Sequence, residues 1–506
     1  MPPVKAEDHI PFDLDQVQPW YKSKNRLMLY CALLPAAFIT PGAIGFDNSL
    51  TNALQTIPRF QENFGHPSGS SLGFFGASQS LGGAISSFLG PLVADKFGRR
   101  FPVSAGSLII IGATFGQVWA VNFGMFCAFK VILGIGVGLA QLGAPVLVTE
   151  LCHPKERVEG TSLYNTLIYM GMIIGAWTAF GTVSMDSDWS WKLPCLLQMV
   201  CSSYQIFFIW LCPESPRWLI ATGRSEEAEA ILVKYHADGD RNSELVKWEM
   251  REMVQAIEIE RANQLPMMDL LKDRGFLHRA FLAICCGTFS QTSGNGLIST
   301  YLQPILVSAG IEDTTTITLI NGCISIWSWV IGMVCAIATS RLQRRMTFLI
   351  GTTGMLVVFV AWTVAQARYE ITGVKSAGYA VIALIFLYNA FYSFAWLFLV
   401  VAYPLEIANY KFRARLWALT LLSVSLSAFF NAYINPIGLE NAQWRYYIYY
   451  DIWITIEVLI IYFFFPETSG RTLEEIAEVF DGEKAKITEP GDEKVLEDSI
   501  GHVETT

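Results

Sequence analysis

The amino-acid sequence predicts an all-α membrane protein, with twelve transmembrane helices arranged as two pseudo-symmetric six-helix bundles. Three observations predict this fold class. Hydrophobic residues make up 52% of the 506 residues and charged residues only 16%, which is typical of a chain solvated by lipid. Apolar runs of membrane-spanning length recur along the chain, and polar motifs at the ends of these runs are repeated between its two halves.

The apolar runs are each about as long as the roughly 20 residues that cross the hydrocarbon core of a bilayer as a helix. Six runs lie at 29–56, 72–94, 101–121, 123–149, 161–183 and 191–212, and six more at 276–307, 316–339, 346–365, 377–403, 414–436 and 446–465. The polar stretch 213–275 between the two sets predicts a helical linker. We therefore expect an N-terminal bundle over 29–212, a C-terminal bundle over 276–465, and polar terminal segments over 1–28 and 466–506.

The basic residues predict how the chain crosses the membrane. Most of the 35 Lys and Arg residues fall before the first run, in the linker, in the tail and in every second loop, which all share one side of the predicted membrane. Because basic loops stay in the cytosol, both termini and the linker are predicted to be cytosolic. The first 28 residues lack the apolar core of a cleavable signal peptide, so the N-terminus is expected to stay in the cytosol. We expect a multi-pass protein of the plasma membrane.

Three polar motifs at the predicted cytosolic ends of the runs occur twice, about 250 residues apart. The first is an Arg-Arg pair after the second and the eighth run. The second is a Glu followed seven residues later by an Arg, and the third is Pro-Glu-Ser or Pro-Glu-Thr. Such a repeat predicts two homologous bundles that face each other across a cavity.

These repeated charges also predict a cytosolic gate. Guanidinium groups pair well with carboxylates and with carbonyls at helix C-termini, so the motifs could brace the two bundles together while the cavity faces outward. The alternative is that the charges only fix the topology. The predicted gate network consists of Asp95, Arg99, Arg100, Glu150, Arg157, Glu214, Arg217, Arg344, Arg345, Glu406, Arg413 and Glu467.

Three of these segments resemble the signatures of the sugar porter family of the major facilitator superfamily. They are residues 95–100, 213–219 (PESPRWL) and 466–475 (PETSGRTLEE). Residues 290–296 and the run Tyr164-Asn165-Thr166 resemble the fungal branch that includes lactose permease and hexose transporters. The resemblance covers about residues 25–482. It implies the major facilitator fold and alternating access of a sugar, often together with a proton.

Polar side chains in the seventh run predict part of a substrate site. Gln291, Ser293, Asn295 and Gln303 stand among glycines in an otherwise apolar run. Polar groups in lipid are costly unless they are paired or face water, and glycines can break a helix where it lines a cavity. Neutral amides and hydroxyls suit the hydroxyls of a sugar. The alternative is hydrogen bonding between helices.

Further candidates for substrate binding come from other runs. Tyr169 and Ser328 stand where the glucose and xylose carriers of the resembled family have a sugar-contacting glutamine and asparagine, so the sequence departs from that pattern. Polar and aromatic residues of the tenth and eleventh runs could compensate, namely Asn389, Trp396 and Asn431. These departures leave open a hexose, a disaccharide or another polar solute.

One acid and one base lie deep within apolar runs of the N-terminal half. At a rise of about 1.5 Å per residue, Asp47 and Lys130 could share one depth in the outer half of the membrane. In the proton-coupled members of the resembled family, an Asp at the position of Asp47 takes the coupling proton and pairs with an Arg at the position of Lys130. The pair is therefore predicted to couple transport to a proton, with a purely structural ion pair as the alternative.

Several other classes of function have little support in the sequence. There is no phosphate-binding loop of an ATP-driven pump, no basic stripe of a nucleic-acid-binding surface and no cluster of metal ligands. We therefore expect no cofactor or metal. The expected partners are a sugar, a proton and the lipid bilayer, and the protein is expected to work as a monomer. A uniporter, a carrier of another polar metabolite and a non-transporting sugar sensor remain alternatives.

Overall fold

The computed structural model describes residues 18–262, 274–339, 342–408, 413–469, 476 and 480, and these residues form helices and short connections without a β-strand. In the N-terminal half the first span is Lys24–Leu54, which contains a π-helical turn at Leu34–Phe38. Pro35 lies in this turn and has no N–H to donate to a regular helix. The second to sixth spans are Gly69–Phe97, Arg100–Val118, Phe123–Leu151, Arg157–Thr182 and Trp189–Phe208, and the short helix Pro58–Phe64 precedes the second.

The C-terminal half repeats this arrangement with two interrupted helices. The seventh span consists of Arg274–Thr292 and Asn295–Ser308, and the tenth of Lys375–Ala395 and Leu399–Glu406. The eighth, ninth, eleventh and twelfth spans are Thr314–Thr339, Arg344–Thr372, Arg413–Ala442 and Arg445–Phe464. Between the halves, the linker forms the helices Pro216–Ala221, Ser225–His236 and Glu244–Ala262. The predicted fold class of two six-helix bundles is confirmed.

The spans differ in how apolar they are. Within the described residues, eight helices are both long and apolar enough to cross a membrane. The second, sixth and seventh spans are not among them, and the fifth is represented by the shorter apolar helix Thr166–Thr182. The second, fifth and seventh contribute polar or glycine residues to the cavity described below, and polar residues in a membrane protein are tolerated where they face protein or water.

Glycine allows two helices of the N-terminal half to touch backbone to backbone. A Cβ atom on Gly171 of the fifth span would lie 1.9 Å from the carbonyl oxygen of Gly42 in the first span. No side chain larger than hydrogen fits there without moving one helix. This close approach is the kind that small residues permit between membrane helices, and it holds the first span, which carries Asp47, at a fixed depth.

The linker packs on the N-terminal half through buried polar groups. His236 approaches Glu249 with its Nδ1 at 2.8 Å and the carbonyl of Leu151 with its Nε2 at 3.3 Å. Arg157 lies 4.0 Å from the same Glu249 carboxylate. The ring of His153 lies 5.3 Å from that of His236. Burial, with a smaller contribution from His236, lowers the pKa of His153 to about 3, so this imidazole is neutral at physiological pH.

The two halves are joined on the side of the molecule away from the linker, which we call the far side. Asn52 of the first span donates to the carbonyl of Ile298 (3.2 Å) and accepts from the backbone N–H of Leu302 (3.1 Å). Gln55 donates to the carbonyl of Thr300 at 2.5 Å, and Asn52 also donates to Asn321 at 3.3 Å. These hydrogen bonds form a seal between the first, seventh and eighth spans, so the structure is closed on the far side.

Candidate functional site

A cavity of about 300 Å³ lies between the two halves, on the linker side of the seal. The predicted residues that line it are Tyr169, Gln291, Asn295, Ser328, Asn389 and Asn431. Asn48, Gln79, Asn52 and Asn321 contribute further amides. No Asp, Glu, Lys, Arg or His side chain lines this cavity within the described part of the chain. Its surface can donate and accept many hydrogen bonds but offers no counter-ion, so it suits an uncharged polar solute.

The break in the seventh span places its polar residues against the cavity. Gly294 has a φ of +105°, which only glycine adopts readily, and the helix is interrupted between Thr292 and Asn295. Breaking a helix leaves carbonyl groups without their usual partners. Side chains of the tenth span satisfy two of them, because Tyr392 donates to the carbonyl of Ser290 at 2.8 Å and Tyr388 donates to that of Ser293 at 2.7 Å.

Asn431 of the eleventh span supports the same break. Its Nδ2 donates to the carbonyl of Gln291, and its Oδ1 accepts from the hydroxyl of Tyr450 at 2.6 Å. Although Asn431 lines the cavity, both ends of its amide already have protein partners. Its geometry therefore fits a residue that positions Gln291 better than one that binds a solute directly.

Asp47 and Lys130 form a buried ion pair beside the cavity. Lys130 Nζ lies 3.4 Å from Asp47 Oδ1, and the side chains are only 2% and 3% exposed. Lys130 Nζ also donates to the hydroxyl of Thr51 at 2.5 Å and lies 5.0 Å from the ring centre of Phe75. The second carboxylate oxygen of Asp47 has no hydrogen-bond partner. Because Thr51 lines the cavity, the ion pair is in direct contact with a residue of the cavity wall.

The predicted gate residues of the N-terminal half gather at the linker side. The Glu214 carboxylate accepts from the backbone N–H groups of Arg99 (2.9 Å) and Arg100 (3.3 Å). Arg100 donates to the carbonyl of Trp210 at 2.9 Å, and Arg99 pairs with Asp95 at 3.2 Å in the same region. Glu150 accepts from the hydroxyl of Ser215. The sixth span is thereby tied to the start of the third and the end of the fourth.

The C-terminal half repeats this cluster residue by residue. Glu467 accepts from the backbone N–H groups of Arg344 (2.8 Å) and Arg345 (3.0 Å), as Glu214 does from the first Arg-Arg pair. Glu406 accepts from the hydroxyl of Thr468 at 2.7 Å, as Glu150 does from its serine. One difference is that Glu406 also pairs with Arg344 at 2.9 Å.

The structure also gives predicted gate residues partners that the sequence did not predict. Arg157 approaches Glu249 of the linker, which the sequence reasoning did not consider. Glu150 contacts Ser215, and Arg99 forms an ion pair with Asp95. Arg217 lies near Glu150 at the start of a linker helix. The side chain of Arg413 lies outside the described residues, so the pair it was predicted to form with Glu406 stays a prediction.

Three predicted substrate residues lie away from the cavity. The Ser293 hydroxyl points to the twelfth span, where it lies 2.8 Å from Glu457 Oε2. Trp396 is fully buried against Phe348 with ring centres 5.0 Å apart, because the interruption of the tenth span turns its indole into the bundle core. Gln303 is eight residues beyond Asn295, about 12 Å along a helix, which places it past the seal.

Sequence reasoning also missed residues that the structure brings to the site. Asn52 and Asn321 hold the seal and line the cavity, and Glu457 is a fully buried acid of the twelfth span. An acid within an apolar span is a signal that could have identified Glu457, because ionisable residues within spans are rarely there without a role, although Asp451 of the same span gives the same signal. No comparable signal separates Asn52 from other amides of the spans.

Comparisons with known proteins place this architecture among membrane carriers. The model of the family described as "Sugar (and other) transporter" matches residues 33–480. The chain is 30% identical to Sugar transporter STL1 of Saccharomyces cerevisiae, over 88% of this chain and 80% of that protein. It is 27% identical to High-affinity glucose transporter 1 of Candida albicans, over 86% of this chain and 83% of that protein.

Solved structures give the same result for the fold. The inward open conformation of the xylose transporter XylE from E. coli superposes with a TM-score of 0.74 at 20% identity, covering 90% of this chain and all of that one. A second structure, of the proton:xylose symporter XylE bound to 6-bromo-6-deoxy-D-glucose, superposes with a TM-score of 0.70 at 20% identity, covering 90% of this chain and all of that one. These likenesses support the arrangement of the helices described above.

Proposed function

The chain belongs to the sugar (and other) transporter family, and on that premise we propose that it is a secondary active transporter that moves a sugar together with a proton. The observation that carries the proposal is the uncharged, amide-lined cavity between the two halves, with a buried Asp47–Lys130 pair directly beside it. Sugar hydroxyls both donate and accept hydrogen bonds, as amide side chains do. The relatives named for sugar or glucose transport support the same substrate class.

Proton coupling rests on the ion pair. Asp47 can hold a proton or a negative charge, and only the charged form attracts Lys130 strongly. Protonation would release Lys130 from the carboxylate and leave it with Thr51, which also donates to the backbone carbonyl of Asp47 at 2.8 Å. Thr51 adjoins Asn52 of the seal in sequence. A change at Asp47 would therefore reach the seal within about one turn of the first span.

Alternating access follows from the position of the cavity relative to the seal. The far side is closed by hydrogen bonds of Asn52 and Gln55 with the seventh span. We place the linker side in the cytosol, with both termini, because most of the Lys and Arg residues lie on that side. The structure then represents a state closed to the outside. We further propose that the protein resides in the plasma membrane and works as a monomer.

The second candidate function is uniport of the same solute or of another polar metabolite. The volume of about 300 Å³ is at the small end of the range for small-molecule sites, so a monosaccharide fits this volume better than a disaccharide. A uniporter would use the Asp47–Lys130 pair only for structure. A sensor would bind the sugar without moving it.

Uptake in cells that lack their own sugar carriers separates these functions. Labelled D-glucose, D-xylose and lactose are offered separately, with the proton gradient intact and after an uncoupler has collapsed it. A proton symporter accumulates its sugar above the external concentration only while the gradient is present. Equilibration without accumulation would indicate a uniporter, and absence of uptake in protein that reaches the membrane would contradict sugar transport.

Replacing Gln291 with alanine should weaken sugar uptake without reducing the amount of protein in the membrane. Gln291 lines the cavity, and the loss of one neutral hydrogen bond costs about 0.5–1.5 kcal/mol, which corresponds to roughly a two- to tenfold rise in KM. The measurement is the concentration dependence of uptake, normalised to surface protein.

Gln303→Ala is the matched control for this change, because Gln303 is the same residue type on the same span but does not line the cavity. Its KM should stay within about twofold of that of the unmodified protein, the lower end of the effect of one hydrogen bond. If surface protein and uptake fall together in Gln291→Ala, the side chain holds helices together and does not bind the solute.

A further inference from the structure

Glu457 is a fully buried acid in the middle of the twelfth span, remote from the Asp47–Lys130 pair. It is 0% exposed, and no Lys, Arg or His of the described residues forms an ion pair with it. The polar and titratable side chains around it are neutral at physiological pH, namely Ser293, Thr292, Trp453, Cys285, Tyr388, Tyr392 and Tyr449. An ionised carboxylate without a cation or a sufficient set of donors is very costly in such surroundings.

Counting hydrogens at Ser293 gives an independent indication of the charge of this acid. Ser293 Oγ lies within hydrogen-bond distance of two oxygens, the backbone carbonyl of Phe289 and Glu457 Oε2, the latter at 2.8 Å. A serine hydroxyl has only one hydrogen. If it is donated to the carbonyl of Phe289, the hydrogen between Ser293 and Glu457 must come from the acid. The other carboxyl oxygen of Glu457 has no hydrogen-bond partner. Two further donors lie nearby, Trp453 and Thr292, but Trp453 donates to Thr292 and Thr292 donates to the carbonyl of Thr288.

The twelfth span contacts Thr292 and Ser293, the two residues that precede Gly294 at the break in the seventh span. Trp453 and Glu457 are four residues apart and share one face of their helix. Trp453 donates to the hydroxyl of Thr292 at 2.9 Å, and Glu457 contacts the next residue, Ser293. The carbonyl of Ser293 is held separately by Tyr388.

We infer that Glu457 is a neutral carboxylic acid that donates its hydrogen bond to Ser293, and that it is a positioning residue for the substrate site. Ser293 lies between Gln291 and Asn295, which both line the cavity. A contact that holds Ser293 on the side away from the cavity also sets the direction of the backbone where the helix Arg274–Thr292 ends. On the proposed function, Asp47 and Glu457 then have opposite roles, because Asp47 changes its protonation during transport and Glu457 keeps its proton.

Infrared spectroscopy of the purified protein tests the charge of Glu457 directly. A protonated carboxyl group gives a carbonyl stretching band that is distinct from the bands of a carboxylate. We expect such a band to persist at mildly alkaline pH in the unmodified protein and to be missing in Glu457→Gln. If the two proteins give the same spectrum in this region at all pH values, the acid is ionised and the inference is wrong. Because this measurement needs no substrate, it stands even if the proposed sugar transport fails.

Transport measurements test the positioning role, which rests on the proposed function. They use the sugar of the uptake panel that gives the highest rate. In Glu457→Gln the amide can donate to Ser293 as the acid does, so KM, the pH profile and uphill accumulation should stay within about twofold of the unmodified protein. In Glu457→Leu the donor is lost, and KM should rise about tenfold while the maximal rate per surface molecule changes less.

Two outcomes would overturn the inference. If Glu457→Gln loses uphill accumulation or shifts the pH profile, the acid releases its proton during transport. If Glu457→Leu reaches the membrane with an unchanged KM, the acid does not position the site. Should Glu457→Leu fail to fold, Ser293→Ala removes the acceptor with a smaller change of volume and is expected to raise KM by a similar factor, an unchanged KM again contradicting the role.

Discussion

Replacing Asp47 with asparagine should abolish the uphill accumulation of sugar while leaving exchange across the membrane. The amide keeps the size of the carboxylate and can still accept a hydrogen bond from Lys130, which lies 3.4 Å from Asp47 Oδ1. It cannot take up or release a proton, so one half of the coupled reaction is lost. The expected result is an internal sugar concentration that rises only to the external one, whatever the proton gradient.

Asp188→Asn is a matched control for this experiment. Asp188 also pairs with a lysine, Lys192, at 3.1 Å, but the two side chains are 47% and 28% exposed. Exposed pairs of this kind contribute about 0–1 kcal/mol to stability, and this pair lies away from the cavity. Accumulation should therefore be unchanged in Asp188→Asn. If accumulation stays uphill and depends on pH in Asp47→Asn, the buried pair is structural and the coupling proton binds elsewhere.

Counterflow distinguishes a loss of coupling from a loss of binding. Membranes preloaded with unlabelled sugar are diluted into labelled sugar, and exchange is followed without a proton gradient. Asp47→Asn should retain exchange, since Asp47 itself is not among the residues that line the cavity. A variant that loses both exchange and accumulation would indicate that removing the charge has disturbed the site, because an unpaired Lys130 is costly to bury.

The sequence predicted best those features that depend on local pattern. The Arg-Arg and Pro-Glu motifs lie at helix ends, where a short segment determines its own surroundings, and the structure shows the same backbone N–H contacts for Glu214 and Glu467. The pairing of Asp47 with Lys130 was predicted from their similar depth, because a straight helix converts residue number into distance, and from the resemblance to a family that has such a pair.

Features that depend on where a helix breaks could not be predicted in the same way. A break redirects every later side chain, so Ser293 and Trp396 turn into the bundle of the C-terminal half and not into the cavity. Spacing along the chain also does not reveal the partners of an amide. Asn431 lines the cavity as predicted, yet its amide is bound to Gln291 and Tyr450.

The protein should exchange between the state seen here, closed on the far side, and a state closed on the linker side. The charge clusters around Glu150 and Glu406 and the far-side seal should shift this equilibrium in opposite directions. In this structure, which is closed on the far side, Glu150 contacts Ser215 and Glu406 contacts Arg344, each within its own half. If the clusters also brace the halves when the linker side closes, weakening them favours the state seen here. Weakening the seal by Asn52→Leu favours the other state, because three hydrogen bonds between the halves are lost.

Glu150→Gln is the cleaner change in the gate network. Its amide oxygen can still accept from Ser215, so this hydrogen bond is kept. The change removes the attraction of the Glu150 charge to the nearby Arg99 and Arg217 and any charge pairing in the other state. Glu406→Gln would also weaken the pair with Arg344 in this state, so its net effect on the equilibrium should be smaller. A coupling of about 1 kcal/mol would change the ratio of the two states roughly fivefold in Glu150→Gln.

A cysteine introduced by Leu397→Cys, at a position that lines the cavity, reports both states when a membrane-impermeant thiol reagent is added from either side. Cys31 and Cys323 are exposed and are replaced by serine beforehand. Glu150→Gln should raise labelling from the linker side and lower it from the far side, and Asn52→Leu should do the reverse. If Asn52→Leu shifts the labelling and Glu150→Gln does not, the assay reports the equilibrium and the conclusion is that Glu150 serves topology and the packing of its own half, not the gate.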